Sequence, residues 1–199
     1  MTEGLYKGNP YWIETYIGKR TAVQELTEED VDIRDIAHSL SLQCRFIGHC
    51  REMYTVAEHS LWVCRIVGTM KWSGIDTDYY RKTCLAALLH DAAEAYIGDI
   101  ARPIKYAFPD IREVEQVALG LILKKYGAIP ADWLLIKKAD NIMLATEAKL
   151  LMKDAGKGWN LPEPALSITD LHQWGTFKDT EQAYLTVFKN FYKLSLHKD

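Results

Sequence analysis

Leu85-Ala86-Ala87-Leu88-Leu89-His90-Asp91-Ala92-Ala93-Glu94 is the stretch on which the fold and the chemistry both turn. An apolar run ends in a histidine and an acid, with a second acid one turn further on. Charge at the end of an apolar helix is costly unless it is paired or metal-bound. Glu94 stands at i+4 from His90 and i+3 from Asp91. On one helix from about Asp78 to Tyr96, all three side chains would reach the same side. Gly98 would then supply a left-handed cap.

Outward from this segment the helical period persists. Thr27-Glu28-Glu29-Asp30 reads as a cap with acids near a first turn, and Ile33, Ile36, Ala37, Leu40 and Cys44 follow at helical spacing up to about Arg45. A second helix is predicted over Val56–Trp72, a fourth over Asp110–Tyr126 with Gly127 behind it, and a fifth from Pro130 to about Gly156. Pro103 and Pro109 punctuate the connection between the third and fourth. A loop rich in Pro, Gly and Trp covers Lys157–Ser167, and Thr180–Leu196 forms the closing helix. Residues 1–26 read as an N-terminal extension, in which Tyr11–Tyr16 pairs with Arg20–Gln24 as a short β-hairpin across Ile17–Lys19. Residues 27–199 then make one all-α helical bundle.

Composition agrees. The 199 residues are 48% apolar and 26% charged, which suits one soluble domain and argues against disorder. A net charge of −3, from 24 basic and 27 acidic side chains, gives no basic excess for a nucleic-acid polymer. No apolar run is long enough to span a membrane and residues 1–11 contain no signal-peptide core, so a cytoplasmic protein is expected. Cys44, Cys50, Cys64 and Cys84 contain no CxxC pair and read as buried free thiols.

His59, on the second helix, and Asp140, in Lys138-Ala139-Asp140 of the fifth, join His90 and Asp91 as two imidazoles and two carboxylates drawn from three helices. Helical bundles commonly assemble metal sites in this way. The mixed N/O set suits Mn, Co, Ni, Fe or Zn, with positions left for water and substrate. Taken singly, a histidine on an apolar face is more often a hydrogen-bonded core residue, and His38, His49, His172 and His197 keep that reading.

The order His59, His90-Asp91, Asp140 resembles the motif of the HD superfamily of metal-dependent phosphohydrolases. Further likeness lies in Cys44-Arg45-Phe46, Val56-Ala57-Glu58-His59-Ser60, Gly98-Asp99-Ile100 and Pro103-Ile104-Lys105, which point to the branch of bacterial 5'-deoxynucleotidases and phage dATP triphosphohydrolases. The resemblance implies one divalent cation (Co, Mn, Zn, Ni, Fe or Mg) on His59, His90, Asp91 and Asp140, with Glu94 moving the proton. It implies that Arg45 and Lys105 grip a phosphate, Phe46 walls the base and Asp99 accepts from the sugar hydroxyl. Each of these also has a plainer role: Lys105 with Arg102 as an exposed basic loop, Phe46 as core, Asp99 as a turn cap.

No histidine or cysteine lies between Asp91 and Asp140, whereas two-metal relatives carry extra histidines there, so a single metal is implied. The expected substrate is a small-molecule nucleotide, most simply a deoxynucleoside monophosphate losing its phosphate. A triphosphohydrolase and a non-catalytic regulatory domain are the competing readings. Homo-oligomerisation is the default of the family. The Phe after Arg45, where the bacterial enzymes carry Trp, means that base preference does not transfer.

Overall fold

The computed structural model describes residues 9–70 and 72–193 of the chain. Helices α1 (Ile33–Leu42), α2 (Val56–Thr69), α3 (Thr77–Leu89), α4 (Glu94–Ile97), α5 (Arg102–Ala107), α6 (Pro109–Lys125), α7 (Trp133–Leu151) and α8 (Phe177–Lys193) follow a small hairpin of β1 (Ile13–Glu14) and β2 (Arg20–Thr21). The protein is all-α with a short N-terminal β-hairpin, as the sequence predicts.

The hairpin is shorter than the spacing suggested. Ile13 faces Thr21 and Glu14 faces Arg20, and hydrogen bonds from Thr15 N to Lys19 O and from Gly18 N to Thr15 O close the turn. Ile17 N donates to Asp35 Oδ1 at 2.9 Å, which fastens the turn to α1.

Helix α2 is the axis of the molecule. Every residue from Val56 to Cys64 is buried, the signature of a helix surrounded by protein on all sides. It packs against α3 on one flank and α7 on another, while α8 lies across α1 and α3. The outer helices bury only a stripe. Thr180, Tyr184 and Phe188 recur every four residues along α8 and turn inward, where Tyr184 Oη donates to Leu88 O at 2.9 Å. Each fully buried leucine of α3, such as Leu85, Leu88 and Leu89, adds about 2 kcal/mol of hydrophobic stabilisation.

The structure departs from five expectations. Asp32, rather than Thr27–Asp30, caps α1, its side chain accepting from Arg34 N; Thr27 instead closes a local turn with Asp30 Oδ2. Helix α2 stops at Thr69, and α7 runs only from Trp133 to Leu151. The connection between Pro103 and Pro109 contains helix α5, because a proline in the first turn costs no hydrogen bond. The helix expected over Asp78–Tyr96 is interrupted. Helix α3 ends at Leu89, the chain turns through residues 90–93 on bonds such as Glu94 N to Asp91 O, and α4 begins at Glu94. His90 Nδ1 takes the Ala87 carbonyl at 2.8 Å, the acceptor a continuing helix would have offered to Asp91 N. The last part of the closing helix, residues 194–196, lies outside the described residues.

Candidate metal centre

His59 sits one turn into α2, and the start of that helix is closely held. Thr55 Oγ1 accepts from Glu58 N at 3.1 Å while Glu58 Oε2 accepts from Thr55 N at 2.8 Å, a reciprocal capping box. From this seat, fully buried, the His59 ring meets His90 from the turn after α3 and Asp140 from α7.

The two imidazoles face each other through Nε2 atoms 3.2 Å apart. Their other nitrogens are spoken for. His90 Nδ1 lies against the Ala87 carbonyl, which can only accept, so Nδ1 carries the hydrogen. His59 Nδ1 lies 2.6 Å from Glu147 Oε1. Two neutral rings held this way aim two Nε2 lone pairs at one point. Asp140 Oδ1 stands 3.4 Å from His59 Nε2, and Asp91 Oδ2 lies 3.3 Å from His90 Nε2 and 3.7 Å from His59 Nε2. Donor atoms bonded at about 2.1 Å to a shared cation stand roughly 3–3.5 Å apart, which the His59–His90, His59–Asp140 and His90–Asp91 spacings match. Asp91 stands further from His59 and outside the tight group. One donor from each of His59, His90 and Asp140 falls within 4.8 Å of the others.

The electrostatics tell the same story. Burial and Arg45 oppose charge on His59, but Glu147 and Asp140 outweigh them and push it up to about 9, so without a cation a proton takes that place. Burial and the neighbouring His59 hold His90 below its usual value. Asp140 stays ionised far below the carboxylate range: burial works against this, and the His59 hydrogen bond overcomes it.

Glu94 behaves in the opposite way. Burial, reinforced by Asp91 and Asp99, raises it well above a normal carboxyl against the pull of Lys105. Its Oε2 is buried with no hydrogen-bond partner among the described residues. Lys105 Nζ contacts Glu94 Oε1 at 2.9 Å and Glu115 Oε1 at 2.5 Å, so its charge is already shared between two acids.

Arg45 is buried with its guanidinium against Glu147 Oε2 at 3.1 Å and Asp91 Oδ2 at 3.6 Å. Phe46 sits beside it, 6.0 Å from the Trp159 ring. The Asp99 backbone N donates to Gln43 Oε1 at 2.9 Å, and burial raises its carboxyl. Arg102 and Lys137 reach Asp140 Oδ2 at 3.4 and 2.5 Å from the solvent side, with side chains 48% and 53% exposed. Among the remaining histidines, His38 stacks on Tyr16 and meets Glu181, His172 meets Glu58, His49 is exposed, and His197 lies outside the described residues. The thiols divide: Cys64 and Cys84 are buried as expected, while Cys44 and Cys50 are only partly buried.

Glu147 escapes the sequence reading. Its signal was its distance from Asp140, seven residues or two turns of α7, which puts both acids on one face within the buried run Ala145-Thr146-Glu147-Ala148.

A family model described as 5'-deoxynucleotidase YfbR-like matches residues 47–125, which hold His59, His90, Asp91 and Glu94. The protein YfdR of Escherichia coli (strain K12), described as uncharacterized, is 35% identical over 84% of this chain and 92% of its own length. The chain belongs to the HD-domain phosphohydrolase family. Protein RCAP_rcc00048 of Rhodobacter capsulatus, also described as uncharacterized, is 31% identical over 78% of this chain and 82% of its own. This HD-family protein carries a His-His-Asp group able to hold a metal ion, and among the described residues no helix is long and apolar enough to cross a membrane.

Proposed function

We propose that this protein is a metal-dependent 5'-deoxynucleotidase, removing phosphate from deoxynucleoside monophosphates. The observation that carries the reading is the facing pair of Nε2 atoms flanked by Asp91 and Asp140, with the raised Glu94 carboxyl nearby. His59, His90, Asp91 and Asp140 would hold one divalent cation. When bound, such a cation lowers the pKa of a coordinated water toward neutrality and screens phosphate charge.

The chain's own groups supply the rest. Glu94, protonated more readily than an ordinary acid, exchanges a proton with the water or the leaving oxygen. Arg45 presents a planar guanidinium to the phosphate, its orientation fixed by Glu147. Lys105 acts mainly through Glu94, since two carboxylates already share its charge. Phe46 and Trp159 wall the base, and Asp99 accepts from the sugar hydroxyl.

Arg102 and Lys137 favour a second reading. Two half-exposed cations at the outer oxygen of Asp140 could meet a longer phosphate tail, as in a triphosphohydrolase. Incubating the metal-loaded protein with dAMP and dATP and separating the products decides between them. Deoxyadenosine and phosphate from dAMP are expected. Triphosphate released from dATP without any turnover of dAMP overturns the proposal.

A further inference from the structure

Cys44 and Cys50 sit at the two ends of the loop that carries Arg45 and Phe46, with their Sγ atoms 3.4 Å apart. Both cysteines are partly buried, and Ile47, Gly48 and His49 between them lie open to solvent. A disulfide bond is about 2.05 Å long, so slightly more than an ångström of closure joins the sulfurs. Neither thiol serves the metal centre.

The segment between them is strained. Phe46, Ile47 and Gly48 have φ of 57°, 55° and 75°, three consecutive left-handed residues of which two carry side chains and one is β-branched. The two ends are held unequally. Cys44 pairs with Thr55, the N-cap of α2, and Arg45 N donates to Tyr54 O at 2.9 Å. Cys50 itself is held through its thiol, which lies 3.1 Å from Glu52 O and 3.7 Å from Arg45 O, and the next residue is anchored where Arg51 N donates to Leu151 O at 3.0 Å. The thiol bonds vanish on oxidation, so the segment between the Arg45 and Arg51 anchors is the part that rearranges.

We infer that Cys44 and Cys50 form a redox-active dithiol whose intramolecular disulfide reshapes the Arg45–Phe46 loop. The oxidant is a small-molecule disulfide such as glutathione disulfide. One thiolate attacks it, forms a mixed disulfide and expels a glutathione thiolate. The second cysteine, deprotonated, attacks the protein sulfur of that mixed disulfide and expels the other glutathione. Two protein thiols are oxidised by two electrons, one glutathione disulfide is reduced, and the two protons end on the two glutathione thiols. Cys64 and Cys84, buried in the core, stay reduced. The effect on substrate rests on the reading above, in which Arg45 and Phe46 hold the nucleotide.

The test equilibrates the full metal-loaded chain in glutathione buffers of rising oxidised fraction. Peptide mapping after alkylation identifies the bond, and amide exchange follows residues 45–51. A single Cys44–Cys50 disulfide is expected, with altered exchange in that loop and a several-fold higher KM for dAMP at unchanged metal content, all reversed by dithiothreitol. Cys44→Ser and Cys50→Ser should each abolish the crosslink. If the two thiols stay reduced in excess glutathione disulfide, pair with Cys64 or Cys84, or crosslink without any change in loop exchange, the inference is overturned. A crosslink with altered exchange in a protein that cleaves no nucleotide when reduced upholds the dithiol and refutes the nucleotidase reading instead.

Discussion

Glu147 divides its two oxygens between His59 and Arg45, at 2.6 and 3.1 Å. A partner of this kind fixes which imidazole nitrogen faces the cation, and its loss typically costs ten- to a hundredfold in metal affinity. Glu147→Gln keeps the shape but replaces one acceptor by an amide donor that cannot serve both neighbours. Calorimetric titration with Mn or Co should show binding weakened by about that factor; unchanged affinity would mean the carboxylate does not orient the ring. Glu94→Ala should have the opposite profile, keeping its metal while turnover falls about 10²-fold or more, as the proton-transfer role proposed for it requires. Wild-type turnover in that variant would place the proton elsewhere. The clustered group of His59, His90 and Asp140 was legible because imidazoles and acids at apolar helix positions are expensive unless used. Glu147 was not, since a lone glutamate on a helix usually faces water and only its register with Asp140 betrays it.

Helix α2 illustrates how an element places a ligand. Its capping box satisfies first-turn amides and sets the angle at which His59 enters the core. Thr55→Ala removes one of those bonds, and urea unfolding should show a loss of about 1 kcal/mol. An unchanged midpoint would mean that Glu58 caps the helix alone. The amphipathic stripes of α1, α6 and α8 could be read from period alone. The break at residues 90–93 could not, because Ala92, Ala93 and Tyr96 continue the apolar pattern, and periodicity is blind to a side chain that captures a backbone carbonyl. Helix α5 was hidden for a related reason: Pro103 reads as a breaker unless it falls in a first turn.

Across the whole molecule, His172 joins the long C-terminal connection to the start of α2 through Glu58 at 3.0 Å, with Glu52 on its other nitrogen at 3.4 Å. Burial lowers its affinity for a proton, but Glu58 and Glu52 outweigh that and raise it above the usual histidine value of 6.5. A raised folded value means that the stabilisation is complete below about pH 6.5 and fades as pH climbs through the folded pKa. The gap in melting temperature between wild type and His172→Gln should therefore narrow from about pH 6 to pH 9. A gap that stays constant would show that the contact acts through packing alone.

The side chains able to hold a metal come from α2, the turn behind α3, and α7, elements that an unfolded chain leaves scattered. An ion that recognises only their assembled state acts as a thermodynamic rivet, contributing about 2.7 kcal/mol when present at a hundred times its dissociation constant. A chelator should thus behave as a mild denaturant, visible as a lower melting temperature, and an undiminished one would show that the ion stabilises nothing beyond its own cage. Scarcity of the ion in the cell would then shorten the lifetime of the protein as well as silence it.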